Sequence, residues 1–158
     1  TATEMVQYSI FALKTSDLKL MPPSKENAFY FFLSRLPRNS LPLTKDEKRI
    51  VDDFRDYESL ISRLAKASKK SVIYALLSPV SREVVESLAL MKPELQGKIR
   101  VFRGLARVKP LVTGKDLRHY GFKPGTKYAN VLRKMHMLQL DKKISNRREA
   151  IAHLKTLK

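Results

Sequence analysis

The sequence contains no cysteine and no tryptophan, and only 15 acidic residues stand against 32 lysines and arginines. Without cysteine the chain has no disulfide, no thiolate nucleophile and no cysteine metal site, as is typical of a reducing compartment. It also lacks the run of about 18 apolar residues that a membrane-spanning helix needs, and it lacks a secretory signal pattern. We therefore expect a cytoplasmic protein with no membrane partner.

The shortage of acids leaves a net charge of +17 at pH 7. Such a field attracts phosphates at long range and releases condensed counterions on contact, so nucleic acid is the expected partner. The charge is uneven, because residues 1–68 contain 11 basic and 9 acidic residues, whereas residues 69–158 contain 21 and 6. We predict a helical part over 1–68 and a basic, nucleic-acid-binding helical part over 69–158.

The apolar and capping patterns predict an all-α fold, a multi-helix array of short and medium helices. Residues 28–33 form an apolar run that fits a strand or a helix, and the helical neighbours favour a helix. Thr44 and Glu47 form a capping-box pattern ahead of one long helix that reaches about Lys66. Further helices are predicted over residues 71–77, over 79–91 and from Pro93 to about residue 108.

The C-terminal part carries clear helix boundaries and predicts a tail like a helix-turn-helix. Thr113 with Asp116 caps one helix, which Gly121 ends in a left-handed conformation. Residues 124–125 begin the next helix, and Asn146 starts the last one with Glu149 at its third position. The inner face of the helix after residue 125 is predicted to consist of Tyr128, Val131, Leu132, Met135 and Leu138.

The turn at residues 121–125 is the strongest candidate for a phosphate site. It precedes a helix N-terminus with free amides and a positive dipole end, and Lys123 and Lys127 flank it. Gly125 would let a sugar-phosphate backbone come close. The alternative is a tight helical connection without a ligand.

A second candidate is the set Arg100, Arg103 and Arg107, which share one helical face. Between residues 98 and 134 there are 11 basic residues and one acid. The alternative is a solvated charged face. The predicted nucleic-acid-binding residues are Arg100, Arg103, Arg107, Lys115, Arg118, Lys123, Gly125, Lys127 and Lys134.

No pattern of catalytic or metal-binding residues is found in the sequence. The acidic group Asp52, Asp53 and Asp56 is expected on the solvated side of its helix, and the histidines at 119, 136 and 153 lack metal-ligand spacing. Phosphate-binding loops, dinucleotide fingerprints and nucleophile elbows are missing. We expect no catalytic residue, no metal and no cofactor in this chain.

Segments 109–117, 121–125, 131–132 and 146–150 (KPLVTGKDL, GFKPG, VL and NRREA) together resemble the C-terminal part of bacterial tRNA nucleotidyltransferases and their poly(A) polymerase relatives. The resemblance covers roughly residues 70–155. It implies the helical body and tail of such an enzyme, which hold the tRNA elbow while a head domain adds nucleotides to the 3′ end. Magnesium ions and CTP or ATP would then belong to a head elsewhere in a parent polypeptide, and this chain alone would be non-catalytic.

Two departures from the family pattern, at residues 118–120 and 147–148, both raise the positive charge and leave tRNA or another RNA open as the ligand. Two other functions remain open as well. One is a helical interaction or dimerisation module that uses the apolar residues 8–13 and 29–33. The other is a helix-hairpin-helix DNA-binding module built on the turn at 121–125.

Overall fold

The structure, a computed structural model, describes residues 25–36, 42–123 and 125–157. All regular elements in these ranges are helices, which confirms the predicted all-α class. The apolar residues 8–13 lie outside the described residues. The helices are α1 (Lys25–Leu33), α2 (Lys45–Arg55), α3 (Tyr57–Lys66), α4 (Lys70–Leu77), α5 (Arg82–Met91), α6 (Gln96–Leu105), α7 (Gly114–His119), α8 (Thr126–Leu140) and α9 (Arg147–Lys155). None of them is both long and apolar enough to cross a membrane.

The chain divides into two compact units, and the division falls within α4 and α6. The first unit comprises residues 1–66 and 76–100, and the second comprises residues 67–75 and 101–158. The sequence prediction had a single boundary after residue 68. Residues 76–100 belong to the first unit because α5 buries Val84, Val85 and Leu88 and packs against α1 and α2.

The core of the first unit is built around three aromatic rings. Phe31 of α1 meets Phe54 of α2 and Tyr57 of α3 edge-on, with ring centroids 5.9 and 6.3 Å apart. All three side chains are buried, and tilted or edge-on pairs each contribute about 0.5–1.5 kcal/mol beyond their burial. Burial, with the charge of Glu94 nearby, raises the pKa of Tyr57 to about 12. The run at residues 28–33 is therefore a core helix, as predicted.

Helix α2 begins with the predicted capping box. The Thr44 amide donates to Glu47 Oε2 at 2.8 Å, and the Glu47 amide donates to Thr44 Oγ1 at 3.3 Å. The single long helix predicted to follow is wrong, because α2 ends at Arg55 and α3 begins at Tyr57. Asp56 lies at the break, and aspartate is a poor interior helix residue since its carboxylate competes for backbone amides.

Helix α5 begins three residues later than predicted. Pro79 lies in the preceding turn, and Ser81 is the N-cap of a helix that starts at Arg82. The Ser81 amide donates to Asp53 Oδ2 at 2.7 Å. Asp53 is half-buried and holds the start of α5, so it is not the fully solvated carboxylate that the sequence suggested.

The helix predicted from Pro93 to about residue 108 is shorter and has a different first turn. Pro93 opens a 3₁₀ turn, Pro93–Leu95, and the α-helix proper runs from Gln96 to Leu105. Ile99 of this helix is buried.

The second unit has a core shared by α7, α8 and α9. The predicted inner face of α8 is confirmed, because its five residues all pack in this core. The buried members are Val112, Leu117, Met135, Ile144, Ala150 and Leu154, and the half-buried ones include Tyr120, Phe122, Tyr128, Val131, Leu132, Leu138 and Ile151.

Two helices of this unit end in left-handed residues. Gly121, at φ +78°, ends α7, and the Phe122 amide donates to the Leu117 carbonyl at 3.0 Å. This is the predicted glycine stop. Lys142, at φ +57°, ends α8 in the same way, with the Lys143 amide 2.9 Å from the Leu138 carbonyl oxygen.

Residues 67–75 complete the second unit. Ala67 and Ile73 are buried, and the Tyr74 ring packs edge-on against His136 of α8 at 5.3 Å between centroids. The same ring lies 6.1 Å from Phe102. The N-terminal half of α4 is therefore an integral part of this unit.

Candidate nucleic-acid interface

The positive charge is concentrated in the second unit. Its residues, 67–75 and 101–158, include 17 lysines and arginines and 3 acids, a net charge of +14. The first unit has 15 basic and 12 acidic residues, a net charge of +3. The second unit therefore carries +14 on 67 residues, a denser charge than the +15 on the 90 residues after position 68, although the difference in net charge between the two parts is smaller.

Asp116, the first of the three acids, is turned inward and caps α7. Its Oδ2 atom accepts hydrogen bonds from the Thr113 amide and hydroxyl, both at 2.8 Å, and Oδ1 accepts one from Arg147. The residue is only 8% exposed. Desolvation alone would raise the pKa of Asp116, but the Thr113 hydrogen bonds and the Arg147 charge outweigh it, and the pKa lies below its ordinary value.

The other two acids also hold helix starts. Asp141 accepts from the Ser71 amide at 2.9 Å and the Ser71 hydroxyl at 2.7 Å, at the beginning of α4. Glu149 accepts from the Ser145 amide and from Asn146 Nδ2, and its own amide donates to Asn146 Oδ1 at 2.9 Å, the predicted cap of α9. Within the described residues of this unit, Arg147 is the one basic side chain in an ion pair.

Helix α7 presents an outer side made of cations. Lys115 and Arg118 are exposed and three residues apart, whereas Asp116 and Leu117 are buried. Because successive residues of a helix are about 100° apart, these two pairs point to opposite sides. The outer side of α7 therefore offers two cations without an acid.

The first turn of α8 lies beside the start of α7. The Tyr128 hydroxyl donates to the Gly114 carbonyl oxygen, and a Cβ at Gly114 would lie 3.4 Å from the Tyr128 ring. This contact brings the exposed Lys127 close to α7. Lys123 and Gly125, in the α7–α8 connection, are exposed too.

Gly125 is the N-cap of α8 and has φ +151°, a conformation that favours glycine. A Cβ placed there would meet no atom within 4 Å. The glycine is therefore needed for its backbone conformation, and the space above it is open, as a phosphate contact would require.

The predicted arginines of α6 form a separate group. Arg100 and Arg103 are exposed on the helix, and Arg107 is exposed just beyond its end. Arg100 belongs to the first unit. Within the described part of the chain, no hydrogen bond or ion pair joins Arg103 or Arg107 to α7.

Lys134 lies seven residues after Lys127, on the same exposed side of α8. His136, which packs on the Tyr74 ring, lies about 200° around the helix from Lys134. Phe102 of α6 packs on the same ring. The nine predicted residues thus fall into more than one group.

Helix α9 adds three cations that the sequence prediction missed. Arg147 binds Asp116, and Lys155 Nζ lies 5.6 Å from the centre of the Tyr120 ring, so both ends of α9 are tied to α7. Arg148 is exposed beside them. The sequence showed only an added positive charge at residues 147–148, because contacts between distant helices are not visible in local spacing. We define the basic face as Lys115, Arg118, Lys123 and Lys127, whereas Arg147 and Lys155 of α9 contact the inner side of α7.

The described part of the chain contains no group of three or more histidine, aspartate or glutamate side chains placed to hold a metal ion. His119 is exposed and stacks edge-on against Tyr120 at 4.9 Å. Asp52 forms an ion pair with Arg55 at 2.7 Å.

Comparison with known proteins does not assign a family. No protein-family model matches the chain, and no curated protein or solved structure is significantly similar to it. The resemblance to tRNA nucleotidyltransferases, carried by residues 109–150, therefore stays a prediction.

Proposed function

We propose that this chain is an RNA-binding helical protein and that the basic face is its main contact surface. The observation that carries the proposal is that the three acids of the second unit, Asp116, Asp141 and Glu149, all accept hydrogen bonds at helix starts. The remaining cations of the second unit are therefore left to interact with an external polyanion.

The proposed mode of binding is recognition of backbone shape. Lys115, Arg118 and Lys127 contact successive phosphates, and the open space above Gly125 admits a sugar-phosphate strand. A-form RNA hides its base edges in a deep major groove, so a helical surface of this kind reads phosphates and 2′-hydroxyls rather than sequence. The resemblance in segments 109–117 and 121–125 supports tRNA as the RNA, held for a nucleotidyltransferase head outside this chain.

The proposal is tested by fluorescence anisotropy with folded tRNA, duplex RNA and duplex DNA at several salt concentrations. The test variant is Lys115→Glu, Arg118→Glu and Lys127→Glu combined. The control is Lys25→Glu, Lys45→Glu and Lys48→Glu combined, which changes the net charge equally on exposed residues of the first unit. Circular dichroism checks that both variants keep the helical content.

We expect the test variant to weaken tRNA binding about a hundredfold at moderate salt and the control to weaken it much less. Each lost phosphate contact should also lower the slope of log K against log salt by about 0.7–0.9. Equal weakening by both variants would refute the basic face as the site. Preference for duplex DNA would favour the helix-hairpin-helix alternative.

The interaction-module alternative has less support. It relied on the apolar residues 8–13, which lie outside the described residues, and on 29–33, of which Phe31 and Leu33 are buried in the first unit and Phe29 is 47% exposed. Within 29–33, one exposed ring offers little area for a stable dimer. A dimer in analytical ultracentrifugation, without any RNA binding, would favour this alternative.

A further inference from the structure

A groove of about 500 Å³ runs along the outer side of α9. Its lining combines three cations with two small or aliphatic side chains: Arg147, Arg148, Ile151, Ala152 and Lys155. All five residues belong to one helix, so the groove is shallow and open to solvent. None of these residues was among those predicted to bind nucleic acid.

The groove has a fixed cationic rim. Arg147 is held by the buried carboxylate of Asp116, and Lys155 lies over the Tyr120 ring. Both side chains are thus partly ordered before any ligand arrives, which reduces the entropy lost on binding. Glu149, the acid nearest in sequence, is turned to the N-terminus of α9, where it accepts from the Ser145 amide at 2.8 Å. Asp116 compensates the charge of Arg147, whereas Arg148 and Lys155 form no ion pair within the described residues.

The floor of the groove is apolar. Ile151 is half-buried against the core of the second unit, and Ala152 is exposed one residue further along. Phosphate contact alone needs cations and gains nothing from such a floor. A ligand that joins a flat, weakly polar group to an anion uses both parts, and a nucleotide has this chemistry.

We propose that the α9 groove takes one unpaired nucleotide of the RNA, with its base over Ile151 and Ala152 and its phosphate between Arg148 and Lys155. This inference rests on the proposed function. Asp116 and Tyr120 tie α9 to the inner side of α7, so the nucleotide and the phosphates bound by the outer side of α7 contact the same compact unit. The preferred ligand is thus a duplex or folded RNA with an unpaired nucleotide at its end or in a loop.

The test uses the full chain and three RNA hairpins of one sequence. The first is blunt, the second carries a short single-stranded overhang, and the third carries the same overhang with abasic sugars. We expect the overhang with bases to bind about fivefold more tightly than the abasic one, as burial of a few tens of Å² of apolar surface allows. Equal affinity of these two hairpins would overturn the inference, because phosphates alone would then explain binding.

Two variants locate the effect. Ala152→Leu fills the floor without changing the charge, and Ala152 is exposed, so the core is left intact. Its matched control is Ala129→Leu at an exposed position of α8. We expect Ala152→Leu to remove the advantage of the overhang and to leave the affinity for the blunt hairpin unchanged, whereas Ala129→Leu changes neither.

The failures of the two proposals are distinguishable. If no hairpin binds, the proposed function is wrong. If the blunt hairpin binds and Ala152→Leu keeps the advantage of the overhang, the groove assignment is wrong. Binding of a polyglutamate peptide that Ala152→Leu abolishes, with no effect of the overhang, would make the groove a site for acidic protein segments and would also overturn the inference.

Discussion

Replacement of Asp116 by asparagine should destabilise the second unit by about 2 kcal/mol at neutral pH. The carboxylate is 8% exposed and accepts three hydrogen bonds, two from Thr113 and one from Arg147. Asparagine has one acceptor oxygen, so its NH₂ group must face either the Thr113 donors or the guanidinium. Hydrogen bonds to charged groups are each worth about 1.5–3 kcal/mol, and part of that is regained because the asparagine oxygen keeps one side of the network.

The effect should depend on pH. Although desolvation acts in the opposite direction, Thr113 and Arg147 hold the pKa of Asp116 below its ordinary value, so the folded state binds the proton more weakly than the unfolded state. The stabilisation by the carboxylate is therefore complete at neutral pH and is lost as the pH falls below the ordinary aspartate range, about 4, towards the lower folded-state value. The wild-type chain should lose this advantage over Asp116→Asn in acid.

Urea unfolding at pH 7 and pH 3, together with hydrogen exchange of the α7 and α9 amides, measures the difference. Asp46→Asn, at an exposed position in the first turn of α2, is the matched control and should change stability little at either pH. A loss smaller than about 0.5 kcal/mol, within the range of ordinary surface substitutions, would refute the reasoning. So would an equal loss at both pH values.

Two further predictions concern helix ends. Lys142→Gly should raise the free energy of unfolding by about 1 kcal/mol, because it relieves the left-handed backbone at φ +57°, and Lys142→Ala should give no such gain in the same urea titration. Lys98→Met should lower it by about 1–2 kcal/mol, since Lys98 Nζ donates to the carbonyl oxygens of Leu64 at 2.7 Å and Ala65 at 2.5 Å. Unchanged exchange of the α3 amides in Lys98→Met would contradict this role.

Much of the fold could be predicted from local sequence, because capping residues only a few positions apart determine where a helix begins and ends. The Thr44, Thr113 and Asn146 caps and the Gly121 stop each depend on residues within a few positions, and all four are found in the structure. The break at Asp56 was missed because the apolar spacing continues across it.

The site was only partly predictable for a different reason. The cations near residues 115–127 are close in sequence, and a helical connection brings them close in space. Arg147 contacts α7 through Asp116, 31 residues away, and a pairing over that separation leaves no trace in local spacing. The residues of the α9 groove do lie on one side of a single helix, but their spacing is also that of an ordinary solvated helix face, so it did not indicate a site.

The discontinuous second unit constrains how the chain folds as it is made. Ser71 and the carboxylate that caps it, on Asp141, are 70 residues apart. At synthesis rates of about 5–20 residues per second, Asp141 is made roughly 4–14 s after Ser71. Residues 76–100 are made during this interval and can already pack in the first unit. The order of translation thus makes the second, basic unit the last to complete its folding.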